Sequence, residues 1–169
     1  WLFTFDPTQL LFSESFVSHW RNNSYFEVAA PIRERVVYWG QVAQDAPVSL
    51  VTPTSLQTPE ASFEIKSFAN SLKERMKSRD GIATSLLSHF RDSQFVYSKN
   101  PGSGSDTLDS FFFKNKKGYC EHFAAATATL LRLAEVPANV VIGYQGGEYN
   151  TYGKFWRFTQ ADAHAWVEY

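Results

Sequence analysis

With a single cysteine, Cys120, among 169 residues, the chain cannot close an intrachain disulfide or build a multi-cysteine zinc site. The disulfide-scaffold and zinc-ribbon classes are excluded together. An excess of one charge is also missing: 16 Lys and Arg face 17 Asp and Glu, the net charge is -1 and the pI is near 6.5. No global field therefore draws nucleic acid or an anionic membrane, and neither is expected as a partner. The longest low-charge stretch, Phe123 to Leu133, is broken by Arg132 and contains Thr127 and Thr129. It falls well short of the about 20 apolar residues that span a bilayer. The sequence opens at Trp1 without a basic segment leading into an apolar one, so a piece of a longer protein is expected. Aromatic residues, in contrast, are plentiful, with 5 Trp, 8 Tyr and 15 Phe, and 44% of the chain is hydrophobic. That composition suits one compact domain with an appendage and excludes intrinsic disorder.

The first 45 residues alternate and favour aromatic and β-branched types, which predicts strands over Trp1 to Phe5, Ser15 to Trp20, Tyr25 to Ala30 and Ile32 to Val42. Asn22, Asn23 and Ser24 fit the tight turn of a hairpin. From Asp45 the composition changes to Pro47, Pro53 and Pro59 with Ser and Thr between, a linker that sets a boundary near Thr58. Residues 1-58 are thus a β-rich segment with its linker, and 59-169 the core. Thr58-Pro59-Glu60 predicts a helix start, with the helix running to about Lys77 over Ile65, Phe68, Ala69, Leu72 and Met76. The basic residues on that stretch read as a solvated face. Asp80 is expected to cap a second helix with Ile82, Leu86, Leu87 and Phe90 inward, followed by a short strand at Gln94 to Tyr97. Asn100 to Ser105 is a loop without the Gly-Lys-Ser/Thr ending of a phosphate loop, and Leu108, Phe111 and Phe112 suggest a helical turn or two ending near Gly118. Tyr119 to Ala134, alanine- and leucine-rich with Pro137 beyond it, predicts a buried central helix. Three strands are expected after it, at Asn139 to Gln145, Lys154 to Gln160 and Ala163 to Tyr169. Helices followed by antiparallel strands is the α+β pattern.

Cys120 stands at the predicted N-terminus of the central helix, where unpaired N-H groups and the macrodipole favour a thiolate. A buried, inert thiol is the competing reading, because free cysteine is among the most buried residue types. His164, flanked by Ala163 and Ala165 on a following strand, supplies an imidazole with an ordinary pKa near 6.5. A thiol with an imidazole is the nucleophile and general acid/base of acyl transfer. Cys120, His122 and His164 lack a fourth ligand for zinc, so no metal is expected. His122 reads as a helix anchor, His19 and His89 as half-buried, and Trp156 and Trp166 as core.

Gly118-Tyr119-Cys120-Glu121-His122-Phe123-Ala124, Pro137 to Asn150, and Asp162-Ala163-His164-Ala165-Trp166 together resemble the transglutaminase-like cysteine superfamily. The resemblance extends over about residues 60 to 169. It is nearest to the periplasmic transglutaminase-like domain of bacterial inner-membrane proteins. It implies a papain-like core, the nucleophile helix packed on an antiparallel sheet. Cys120 would be the nucleophile and His164 its base, acting without cofactor or metal on a protein or peptide substrate with an amine or water as acceptor. It also implies a catalytic aspartate on the strand after that of His164, a position absent from this chain, with Asp162 the only nearby substitute. A cysteine hydrolase using the same pair and a silent envelope scaffold are the alternatives.

Overall fold

The computed structural model describes residues 8-14, 18-21, 25-28, 31-33, 36-42, 53-102 and 107-169. The chain divides into two compact units, Trp1–Ser49 and Leu50–Tyr169.

In the first unit, β1 (Thr8–Phe12) pairs antiparallel with β4 (Trp39–Val42), with an irregularity between Thr8 and Leu10. The Ser13 hydroxyl donates to the Val37 carbonyl at 3.0 Å beside that pair. β2 (Ser18–Arg21) and β3 (Tyr25–Val28) form the expected hairpin, with Arg21 opposite Tyr25. Its Asn22 to Ser24 turn, the strand expected at Trp1 to Phe5 and the burial of His19 lie outside the described residues. Among the described residues, the strand expected over Ile32 to Val42 is confined to Trp39–Val42, and β1 carries no clean alternation that would have announced it.

The second unit begins earlier than the proline-rich composition indicates. Pro53–Leu56 forms a single 3-10 turn whose Ser55 is fully buried. The Ser55 hydroxyl donates to Asn139 Oδ1 at 2.8 Å, and its carbonyl accepts from the Ala138 N-H at 2.9 Å. Arg132 completes this junction, donating to the carbonyls of Ala138 at 2.7 Å and Gln57 at 2.9 Å.

α1 (Phe63–Arg75) starts later than Thr58-Pro59-Glu60 suggests, because Ser62 is the cap: its hydroxyl accepts from the Ile65 N-H at 3.2 Å and donates to the Asp109 carboxylate. α2 (Arg79–Asp92) is likewise capped by Ser78 and not Asp80, which sits in the first turn. Its inner face is Ile82, Ala83, Leu86 and Phe90, whereas Leu87 is 58% exposed, one helical step off the buried stripe. The helical turn expected around Phe111 and Phe112 is a π-helical one, Ser110–Asn115, ended by Lys116 in the left-handed region.

α3 (Cys120–Leu133) is the central helix, with Ala126, Leu130 and Leu131 wholly buried. An aromatic cluster of Phe68, Phe90, Phe95, Phe111, Phe112 and Phe123 surrounds its first half, mostly in edge-to-face contacts between 4.9 and 6.1 Å.

Two pairings position the ends of the chemistry. β5 (Val96–Tyr97) runs parallel to β6 (Lys117–Gly118), so Tyr97 lies beside Gly118. β7 (Asn139–Tyr144) pairs antiparallel with β10 (Ala163–Glu168) from Tyr144↔Ala163 to Asn139↔Glu168. Between them, β8 (Glu148–Asn150) and β9 (Phe155–Arg157) form a hairpin. Trp156, expected in the core, is 58% exposed on it, while Trp166 is half-buried. β8 and β9 are three residues each and exposed throughout, so their ribbon offers the indole no buried face.

Candidate active site

Cys120 is the first residue of α3 and is half-buried. Gly118 brings the chain to that position: buried and held in β6, it lies so near its neighbours that a Cβ there would stand 2.7 Å from both His122 Cβ and Phe111 Cε2. The Ser98 N-H donates to the Gly118 carbonyl at 2.7 Å and the Val96 N-H to that of Lys116 at 2.7 Å, which clamps the approach to the helix. His122 anchors its start. The Tyr119 N-H donates to His122 Nδ1 at 3.4 Å, the His122 N-H donates to the Tyr119 carbonyl at 3.0 Å, and the two rings meet edge to face. The opening N-H groups of a helix have no intrahelical acceptor, and Cys120 carries one of them. The negative charge of Glu121, then its hydrogen bond, holds the Tyr119 phenol above its ordinary pKa.

His164 comes from β10, opposite Gly143 and one residue before the buried Ala165. Gly143 is needed as glycine: a Cβ there would come 2.9 Å from the Trp166 ring. Trp166 is fixed from its other side by donating from Nε1 to Glu168 at 3.1 Å.

Asp162 ends the one-turn helix Gln160–Asp162 that leads into β10. Its Oδ2 accepts from the Thr159 N-H at 2.7 Å and the Thr159 hydroxyl at 2.8 Å. Those two donors, the N-H first, hold the carboxyl below its ordinary pKa. The Asp162 carbonyl accepts from the Gln145 N-H at 2.8 Å, joining this turn to the end of β7. The carboxylate oxygen Oδ2 is thus occupied in capping a turn.

Cys120 and His164 line one cleft of about 380 Å³, with Asp162, Tyr97, Lys99 and Gln145 also in its walls. The structure brings the two predicted reactive side chains to one opening, from the start of a helix and from a strand packed beside it. Tyr97, Lys99 and Gln145 carried no signal of their own in the sequence. Tyr97 and Lys99 enter the cleft because β5 pairs with the residues just before Cys120, a parallel contact between distant segments. Among the described residues no three His, Cys, Asp or Glu side chains converge as a metal requires.

Residues 66–169 match the model of the transglutaminase-like superfamily. A protein-glutamine gamma-glutamyltransferase of Pseudomonas aeruginosa strain PAO1 is 33% identical over 176 aligned positions, covering 100% of this chain and 26% of the relative. The uncharacterised protein YebA of Bacillus subtilis strain 168 is 43% identical over 72 residues, 40% of this chain and 10% of that protein. The chain therefore spans about a quarter or less of the length of these curated relatives. The crystal structure of the periplasmic domain of TgpA from P. aeruginosa bound to ethylmercury is similar with a TM-score of 0.76 and 32% identity, over 100% of this chain and 62% of that one. A second structure of the same periplasmic domain gives 0.70 and 34%, over 85% of this chain and 52% of that one.

Proposed function

The chain belongs to the transglutaminase-like superfamily and has its fold, mixed helices and sheets, and from that premise we propose that it transfers the acyl group of a protein glutamine to an amine through a thioester on Cys120. The observation that carries the proposal is the shared cleft, with a thiol at a helix N-terminus and an imidazole on the neighbouring strand. His164 takes the Cys120 proton, and the thiolate attacks the carboxamide carbon. The opening N-H groups of α3 are suited to hold the developing oxyanion. The tetrahedral species collapses with cleavage of the C-N bond as the imidazolium returns its proton to the leaving ammonia. An amine then attacks the thioester, losing its proton to His164, and the thiol is released. Asp162 sets the turn into the His164 strand through its Oδ2. The site of action in this reading is the periplasm, in a bacterial inner-membrane protein, in keeping with the periplasmic domains it is similar to.

Incorporation of a labelled primary amine into a glutamine-containing protein, set against ammonia release, tests the proposal in the full-length protein. Cys120→Ser is expected to abolish both, and His164→Ala to slow incorporation by about 10²- to 10⁴-fold, the usual contribution of a positioned acid/base. Ammonia release without incorporation at saturating amine establishes a hydrolase instead.

A further inference from the structure

The hairpin between β7 and β10 exposes an unusual amount of aromatic surface: Tyr149 at 47%, Trp156 at 58% and Phe158 at 41%. Exposed apolar patches of this kind mark interaction sites. Tyr149 is the cross-strand partner of Trp156, whereas Glu148 faces Arg157 and Asn150 faces Phe155. Cross-strand partners share a face of the ribbon. One face therefore carries Tyr149 and Trp156, and the other the Glu148–Arg157 ion pair. Phe158 extends the aromatic face, its ring 6.4 Å from that of Trp156 and inclined by only 22°, with Tyr149 5.3 Å from Trp156 across the ribbon. Gly147 makes room for it, since a Cβ there would lie 2.6 Å from Phe158 Cε1.

This face leads to the cleft. Phe158 reaches Tyr144, at 6.0 Å between rings. The next residue, Gln145, is a cleft wall joined to Asp162 by its backbone hydrogen bond.

Building on the acyl-transfer reading, we infer that Tyr149, Trp156 and Phe158 are the docking strip for the polypeptide that carries the donor glutamine, selecting donors with aromatic or large aliphatic residues a few positions from it. An extended peptide presents same-face side chains at a repeat of about 6.6 Å, close to the 6.4 Å between Trp156 and Phe158 along the chain, with Tyr149 broadening the strip across the ribbon. The strip carries no charge to attract a phosphate, because Arg157 is on the opposite face and paired. A donor lying along it continues past Phe158 to Gln160 and Ala161, which line the same cleft as Cys120 and His164.

The test compares two labelled glutamine peptides, one with Phe residues flanking the glutamine and one with Ser in their place. Their binding to the full-length Cys120→Ser protein is followed by fluorescence anisotropy, which needs no turnover. The Phe peptide is expected to bind about tenfold tighter, and Trp156→Ala is expected to remove the difference. Phe155→Ala, an equally exposed aromatic on the other face, is expected to preserve it. In the Cys120 protein, Trp156→Ala should raise KM for the Phe peptide about tenfold while kcat and the turnover of a blocked glutaminyl-glycine donor stay unchanged. Should Trp156→Ala fail to fold by circular dichroism, Tyr149→Ala carries the same expectation. Equal binding of the two peptides, or an equal loss in Phe155→Ala, overturns the strip. A binding preference that persists in a protein without acyl transfer retains the strip and overturns the transfer reading.

Discussion

At Gly118 the backbone passes so close to Phe111 and His122 that the smallest added side chain meets both. Gly118→Ala must therefore move the start of α3, the aromatic ring or the β6 clamp, and overpacking of this kind typically costs about 1–3 kcal/mol. We expect a lowered urea midpoint for this variant. The loss of amine incorporation should exceed that of a surface variant with the same midpoint, since the displaced residue is the neighbour of Cys120's N-cap. The sequence made Cys120 and His164 legible because each sits in a short local pattern: a glycine before a helix for the thiol, and small residues around the imidazole. Gln145 and Lys99 were not legible. Gln145 stood inside the Pro137 to Asn150 motif without a role of its own, and Lys99 carried no signal; the β5–β6 pairing puts Lys99 at the opening, and the backbone bond to Asp162 puts Gln145 there. Asp162 was legible as a nearby carboxylate but not in its engagement, because Thr159 three residues before it is an ordinary residue until the turn forms.

Among the elements, the π-helical turn packs against a histidine. His89 on α2 stacks on Phe112 of that turn, 5.1 Å between centroids and 22° between planes, and lies against Phe68 and Phe95. Ser93 Oγ is 3.3 Å from its Nδ1. Burial, then the positive charges of Lys116 and Arg75, hold its pKa below the ordinary 6.5, against the opposing charge of Asp92. The unfolded chain thus binds the proton more readily than the folded one. Stability is fully present above about pH 6.5 and is lost as pH falls through the folded value. Urea denaturation between pH 7.5 and 5 should show this decline, and His89→Phe should flatten it relative to the parent protein. α3 was legible from its alanines, its leucines and the proline beyond it. The starts of α1 and α2 were not, because Ser62 and Ser78 each competed with a second good cap nearby. The serine that won stood three residues before an amide of the apolar stripe in α1, and three before Gly81 in α2. β6, at two residues, is too brief to carry a pattern of its own.

Across the whole molecule, the α+β order of elements was readable, and among the strands after α3 the one that escaped was β8, which has no core to face. β8 and its partner β9 hold exposed residues throughout, so the alternation that betrays a half-buried strand never develops in β8, while β9 is the middle of the strand expected at Lys154 to Gln160. The same fact bears on how this protein can change. Tyr144 and Ala163 are partners at the end of the β7–β10 ladder, which makes everything between them an excursion that leaves and returns at one fixed point. The entropy of closing such an excursion grows only as the logarithm of its length, about 0.6 kcal/mol for each doubling. Lengthening, shortening or exchanging the β8–β9 ribbon should therefore leave the rest of the second unit standing. A chimera that carries a relative's ribbon between Gly146 and Phe158 is expected to keep a melting temperature within a few degrees of the parent and its rate of Cys120 alkylation, while its ranking of glutamine peptides follows the ribbon's source. If the chimera behaves so, the hairpin is an exchangeable cassette, through which new substrates can be acquired without rebuilding the nucleophile.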